Sequence, residues 1–297
     1  MGAFAKYEPL DPRARVRALR PVKALTAPKD PMVLLHPFAL CTEVWRQILP
    51  ALEEHHEVFP LKLPGHMGGC PYPRDLEHSI EHLTDLVEAQ LNEKHLARAH
   101  LVGSSLGGWL ALELARRGRA LSVVAFAPGG GWRFGSAEHR RLVRKFRLVQ
   151  RLVRLAGPRA ALLGSSSLVR RLFLNDAVVQ PTLLSPLEAA LFIEAAWRCT
   201  AFSAVCAALP TQALTEPFTP TCPVRIVWGD KDRLLPLHGY SEHWRNALPE
   251  AEWVVLHGVG HLPMYDDPTT VVNVILSLTR AELETSRARA RRHRGAC

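Results

Sequence analysis

The sequence predicts an α/β fold: a doubly wound, mostly parallel sheet with a helical cap inserted near its middle. Three observations carry this. Short apolar runs without alternation, such as MVLLHPF at 32–38 and VRIVWG at 224–229, are the pattern of strands buried on both faces. Stretches with apolar residues at helical spacing separate those runs, and strands alternating with helices imply a parallel sheet covered on both sides. Between about 133 and 220 the strand pattern vanishes and the chain becomes rich in Ala, Leu and Arg, which reads as a cap seated above the sheet.

Each element has its own signal. The run at 32–38 ends in Pro37 and reads as a strand followed by a loop. TEVWRQILPALEEH is predicted helical, with Thr42 placed to cap its start. EVFPLKLPGH is the next strand, and Pro60 makes it irregular or peripheral, because proline donates nothing to a sheet ladder. Residues 76–96 form an amphipathic helix, AHLVGS a strand, and SLGGWLALELARRG a helix closed by Gly118. LSVVAFAP is a further buried strand. After the cap, with breaks at Pro158, Pro181 and Pro186, come the strand at 224–229 and a helix near 240–247. The strand EWVVLHG at 252–258 and a last helix from about 269 close the pattern. The organisation expected is a basic segment at 1–30, a core from 31–132 and 221–280, the cap at 133–220, and a basic, disordered tail at 281–297.

The totals narrow the class. The chain has 297 residues, 47% of them hydrophobic and 22% charged, which is ordinary for a soluble globular protein. No run is long and apolar enough for a membrane span, and the N-terminal stretch lacks an apolar signal region. The six cysteines are scattered without a C-x-x-C pair, so neither a disulfide framework nor a zinc site is expected, and a reducing cytoplasm fits best. A net charge of +9 gathers at the two ends and in HRRLVRKFRLVQRLVRLAG at 139–157. That last block is an amphipathic basic helix, packed on one face and solvated on the other, with weak association to an anionic surface as its functional reading. No nucleic-acid-binding motif accompanies the charge.

Chemistry concentrates where strands end, because functional groups of an open parallel sheet collect at its carboxyl edge. The strand at 99–104 ends in Gly103-Ser104-Ser105-Leu106-Gly107. Glycines at 103 and 107 permit a sharp turn into the helix, which lifts Ser105 above the sheet edge. The Leu106 N–H, at the start of that helix, can donate to a developing oxyanion. A serine hydroxyl needs a base, histidine titrates in the right range, and an imidazole needs a carboxylate to fix its tautomer. Later strand ends supply Asp230 and Asp232, then His257 and His261, while the loop after the first strand carries His36-Pro37-Phe38. A phosphate-binding loop is excluded by the absence of G-x-G-x-x-G and of a G-K-[ST] ending.

These motifs together, G-S-S-L-G-G at 103–108, L-P-G-H at 63–66, W-G-D-K-D at 228–232 and G-V-G-H-L-P at 258–263, resemble the capped α/β-hydrolases over roughly residues 30–280. The resemblance implies Ser105 as nucleophile, Asp232 as acid and His261 as base, with Ser104, Asp230 and His257 as bystanders. It implies backbone N–H donors at Phe38 and Leu106. The family's His-Gly reads His36-Pro37 here, and proline has no N–H to offer. Substrate-pocket candidates are His36, Ser104, Trp132, Phe134, Phe192 and Trp197.

The resemblance implies a carboxylesterase-like serine hydrolase, acting through an acyl-enzyme on a small or medium apolar ester, with no cofactor and no metal. Hydrolysis of C–C bonds or of amides and prolyl peptides on the same residues is the alternative, and a ligand-binding protein without turnover is the non-enzymatic one. Family members that open epoxides use Asp as nucleophile, so Ser105 disfavours that reaction. Specific nucleic-acid binding is not expected.

Overall fold

In the computed structural model, described over residues 29–73, 75–208 and 217–280, six strands form one sheet in the order β2-β1-β3-β4-β5-β6. They are β1 (Pro31–Leu35), β2 (Glu57–Leu61), β3 (Ala99–Ser104), β4 (Ala120–Phe126), β5 (Val224–Gly229) and β6 (Glu252–Leu256). All described pairings are parallel. Apolar runs without alternation are explained by burial on both faces. Val33 and Leu35 point into one core layer, while Met32 and Leu34 point into the other. Pro60 sits in β2, an edge strand, where its missing N–H leaves no central ladder unpaired.

The first predicted helix is broken. Thr42–Trp45 forms a 3-10 turn whose N-cap is Cys41, not Thr42, and no side chain caps it. A separate short helix, α1 (Leu49–Glu53), restarts around Pro50. Proline has no N–H for the helical ladder but fits a first turn, so the chain restarts there instead of continuing. Downstream the signals translate directly. Helix α2 (Ile80–Glu93) is capped by Ser79, whose hydroxyl accepts from the His82 N–H, and α3 (Leu106–Arg116) ends before Gly118 at φ 75°. A last helix begins at 268.

Between β4 and β5 the described residues form no strands. Helices α4 (Ala137–Ala156), α5 (Ser167–Leu174), α6 (Pro186–Arg198) and α7 (Phe202–Ala208) lie there, with a 3-10 stretch at Gly157–Ser165. Ser185 and Glu188 make a capping box on α6, and Glu188 also accepts from Arg46 at 2.8 Å, tying the insertion to the loop after β1. The segments 1–28 and 281–297, which hold the basic N-terminal residues and the predicted tail, lie outside the described residues. Among the described residues no single helix is long and apolar enough to cross a membrane.

Candidate active site

Three strand ends supply the candidate residues, and Ser105 and His261 line one chamber. At the first, β3 turns into α3 through Ser105, held at φ 55° and ψ −115°. A residue with a side chain pays steric strain in that region, and such strain persists only where surrounding contacts enforce it. Here they do. The Ser105 N–H donates to the Phe126 carbonyl at 2.8 Å, and its carbonyl accepts from the Trp109 and Gly129 N–H groups at 3.0 and 2.9 Å. A Cβ on Gly103 would lie 2.1 Å from the Gly107 oxygen, and one on Gly107 would lie 2.0 Å from the Leu35 oxygen. Only glycine fits at either place. Leu106 is the first residue of α3, so its N–H has no acceptor within the helix and adds to the helix's positive end.

The other two strand ends bring Asp232 and His261 together. His261 Nδ1 donates to Asp232 Oδ2 at 2.7 Å, with both side chains buried. Asp232 Oδ1 accepts from the backbone N–H groups of Leu234 and Leu235 at 2.9 and 2.8 Å, which fixes the carboxylate. Because a carboxylate only accepts, His261 carries its proton on Nδ1, and Nε2 presents a lone pair. That atom is buried and without a hydrogen-bond partner among the described residues. The loop bearing His261 is anchored on each side: Gly260 N–H donates to Asp266 at 2.7 Å and Leu262 N–H to Ala177 at 2.8 Å. Asp230 and His257 stand apart, paired loosely at 3.4 Å, with the Asp230 carboxyl held below the usual range chiefly by the Gly258 N–H.

Ser105 opens onto two apolar chambers divided by Phe38, Phe146 and Leu234. One, of about 70 Å³, is walled by Pro64, His66, Tyr72, Trp109 and Trp132. The other, of about 520 Å³, is walled by Leu148, Leu152, Phe192, Ile193 and His261. Phe38 reaches the cap through ring contacts to Phe146 at 5.3 Å and Phe202 at 4.9 Å. Of the aromatic residues proposed as walls, Trp132 and Phe192 line these chambers; Phe134 and Trp197 face solvent and line neither.

Two further candidates lie behind the site. Ser104 is fully buried in β3, beneath the turn, and lines neither chamber. His36 is fully buried too: its Nδ1 donates to the Pro37 carbonyl at 2.8 Å and its Nε2 accepts from the Leu63 N–H at 3.2 Å. It is a strut between the loops after β1 and β2, and burial pushes its pKa down to about 3, so it stays neutral. His66 is a chamber wall that sequence reasoning missed. Burial holds it at about 4, its Nδ1 donates to the Pro64 carbonyl at 3.0 Å, and Nε2 has no described partner. The L-P-G-H motif contained it without indicating where it points. No cluster of three or more His, Cys, Asp or Glu among the described residues is arranged to hold a metal ion.

The sequence profile of the alpha/beta hydrolase family matches residues 32–274. An epoxide hydrolase, EphH, of Mycobacterium tuberculosis is 36% identical over 200 residues, covering 66% of this chain and 92% of the relative. A pimeloyl-acyl-carrier-protein methyl ester esterase of Aeromonas hydrophila is 38% identical over 101 residues, covering 33% of this chain and 38% of that one. Among solved structures, a malate-bound thermophilic esterase from Thermogutta terrifontis shares the fold, with a TM-score of 0.68 at 19% identity, covering 86% of this chain and 92% of the other.

Proposed function

The chain belongs to the alpha/beta hydrolase family, and on that premise we propose that it cleaves a carboxylic ester, or a related acyl bond, of a small to medium apolar molecule through Ser105, His261 and Asp232. One observation carries the reading. His261, oriented by a 2.7 Å hydrogen bond to Asp232, holds an unsatisfied Nε2 at the chamber that Ser105 also lines.

In the proposed reaction Nε2 takes the Ser105 hydroxyl proton as Oγ bonds to the substrate's carbonyl carbon. The carbonyl oxygen becomes an oxyanion that accepts from the backbone N–H groups of Leu106 and Phe38. Pro37 removes a donor from the preceding position and leaves the one at Phe38. Asp232 stabilises the imidazolium, which then protonates the departing alkoxide as the C–O bond breaks. A water molecule, deprotonated by His261, attacks the acyl carbon and releases the carboxylic acid and the serine. The apolar walls around Ser105 favour an apolar acyl group or alcohol.

The relative named an epoxide hydrolase invites a second reaction, and the chemistry of Ser105 argues against it. A serine oxygen that opened an epoxide would form an alkyl ether. That ether has no carbonyl for water to attack, so the enzyme would be trapped after one event. An acyl bond to serine has the carbonyl and turns over.

The test is a substrate panel of p-nitrophenyl esters of increasing chain length, an aryl amide, a β-diketone and an aryl epoxide, run with wild type and Ser105→Ala. We expect ester turnover in the wild type and a kcat at least roughly 10⁴-fold lower in the variant. Undiminished turnover by Ser105→Ala, or turnover of the epoxide with the esters inert, overturns the proposal.

A further inference from the structure

The surface of the cap does not resemble the surface of the sheet domain. Large apolar side chains that are exposed among the described residues all fall between Phe134 and Trp197. Seven are leucines, and five of these stand on three successive elements: Leu148, Leu152 and Leu155 on α4, Leu162 on the 3-10 stretch, and Leu168 on α5. Leu155 is 85% exposed and Leu162 72%, values that leave almost the whole side chain in water. The 3-10 stretch packs against both α4 and α5, so these elements present one neighbourhood.

The exposed side of α4 is strongly basic as well. Arg144, Arg147, Leu148, Arg151, Leu152 and Leu155 recur at helical spacing and share one side of α4, and all six are exposed. Arg140, Arg141 and Arg154 are exposed as well. Acidic compensation is small: Glu138 begins the helix, and Asp176 is already engaged by Lys145. The opposite face of α4 is taken up inside the protein by Leu142, Val143 and Val153. Leu148 and Leu152 also wall the larger chamber at Ser105, so the basic, leucine-studded face is continuous with that chamber.

We propose that this outer face of the cap, α4 with Leu162 and Leu168, docks on an anionic lipid surface and sets the mouth of the larger chamber against it. Arginine extends its methylene stem along apolar neighbours while the guanidinium reaches phosphate, which suits leucines placed between arginines. A fluid interface accepts leucines scattered over three elements without a shaped pocket for each, as a folded protein partner would require. A second copy of the chain is disfavoured by like charge, since each copy carries +9. The association proposed is a peripheral one; no single described helix is long and apolar enough to cross a bilayer. An apolar substrate held in the lipid could then enter the chamber without crossing water.

Co-sedimentation of the full chain with vesicles of phosphatidylcholine alone, and of phosphatidylcholine with phosphatidylglycerol, tests this over a salt series. The protein is expected to pellet with the anionic vesicles, less so as salt rises, and to stay in solution with the neutral ones. The triple variant Arg144→Ser/Arg147→Ser/Arg151→Ser is expected to weaken partitioning about a hundredfold. Leu155→Ser/Leu162→Ser should weaken it also, while hydrolysis of a short soluble ester stays at the wild-type rate. The Ser105→Ala protein should pellet like the wild type, so failure of the catalytic reading leaves this result untouched. Binding that survives the arginine substitutions would belong to the basic termini and overturns the proposal. Binding unaffected by the leucine substitutions would indicate a purely ionic partner, such as an acidic protein, and overturns it equally. So does equal pelleting with both vesicle types, or self-association through the cap in sedimentation velocity.

Discussion

In the proposed reaction the base is His261, whose tautomer is set by what Asp232 can accept. Both oxygens of the carboxylate are committed, Oδ1 to two backbone N–H groups and Oδ2 to the imidazole. In Asp232→Asn the amide oxygen is expected to keep the backbone donors, which turns the NH₂ group toward Nδ1. The imidazole must then present its lone pair to that donor and carry its proton on Nε2, where a base is needed. We expect kcat on a short ester to fall by roughly 10⁴-fold with little change in thermal midpoint. A loss below tenfold would mean that the pair orients nothing of consequence. Motif position distinguished Asp232 from Asp230 and His261 from His257, and the structure pairs the chosen two at 2.7 Å. Pocket walls were less legible. Trp132 and Phe192 reach the chambers whereas Phe134 and Trp197 do not, because a side chain's direction depends on how cap helices pack, which spacing alone does not encode.

At the scale of the element, the turn between β3 and α3 depends on glycine at two positions and tolerates change at a third. Gly103→Ala and Gly107→Ala each drive a methyl against backbone at 2.1 and 2.0 Å, where no side chain can rotate away. Each is expected to destabilise by more than about 4 kcal/mol, or to prevent folding, read by urea denaturation and circular dichroism. Gly108→Ala meets Pro128 Cα and Cβ at 3.2 Å, a tight contact that a shift of a few tenths of an ångström relieves, and alanine favours the helix by up to about 1 kcal/mol, so that variant should fold. Equal behaviour of all three would remove the case for the turn. Elements of the sheet were readable because a parallel strand buried on both faces is an uninterrupted apolar run: β3 and β5 occupy the runs AHLVGS and VRIVWG. The helix starting at Thr42 was not, because its apolar periodicity continued through Pro50 and concealed the restart. Likewise α4 has a basic periodicity whose meaning depends on which face the rest of the cap covers.

Across the whole molecule, buried histidines are expected to make the fold sensitive to acid. His36, His66 and His100 lie on different strands or loops of the sheet, and burial lowers their pKa values to about 3, 4 and 4. His100 Nδ1 engages the Ser122 hydroxyl at 2.8 Å, and its ring packs 5.1 Å from that of His56, whose pKa is also lowered by burial. An exposed imidazole titrates near 6.5. The unfolded chain therefore binds protons below that pH that the folded chain refuses. The stability contributed by each neutral histidine is present above about pH 7 and drains away as pH falls toward the folded value. Between about pH 7 and pH 5 each such group costs about 2 kcal/mol, and three together about 6 kcal/mol. Native proteins hold only about 5–15 kcal/mol in total, so urea midpoints should fall steeply over this window and the fold should fail near its lower end. His100→Gln keeps a donor for Ser122 and removes one titration, so its midpoint should change less with pH by about 2 kcal/mol, even if it starts lower. A midpoint constant between pH 7 and pH 5, or the same slope in the variant, would show that these imidazoles do not govern the acid limit.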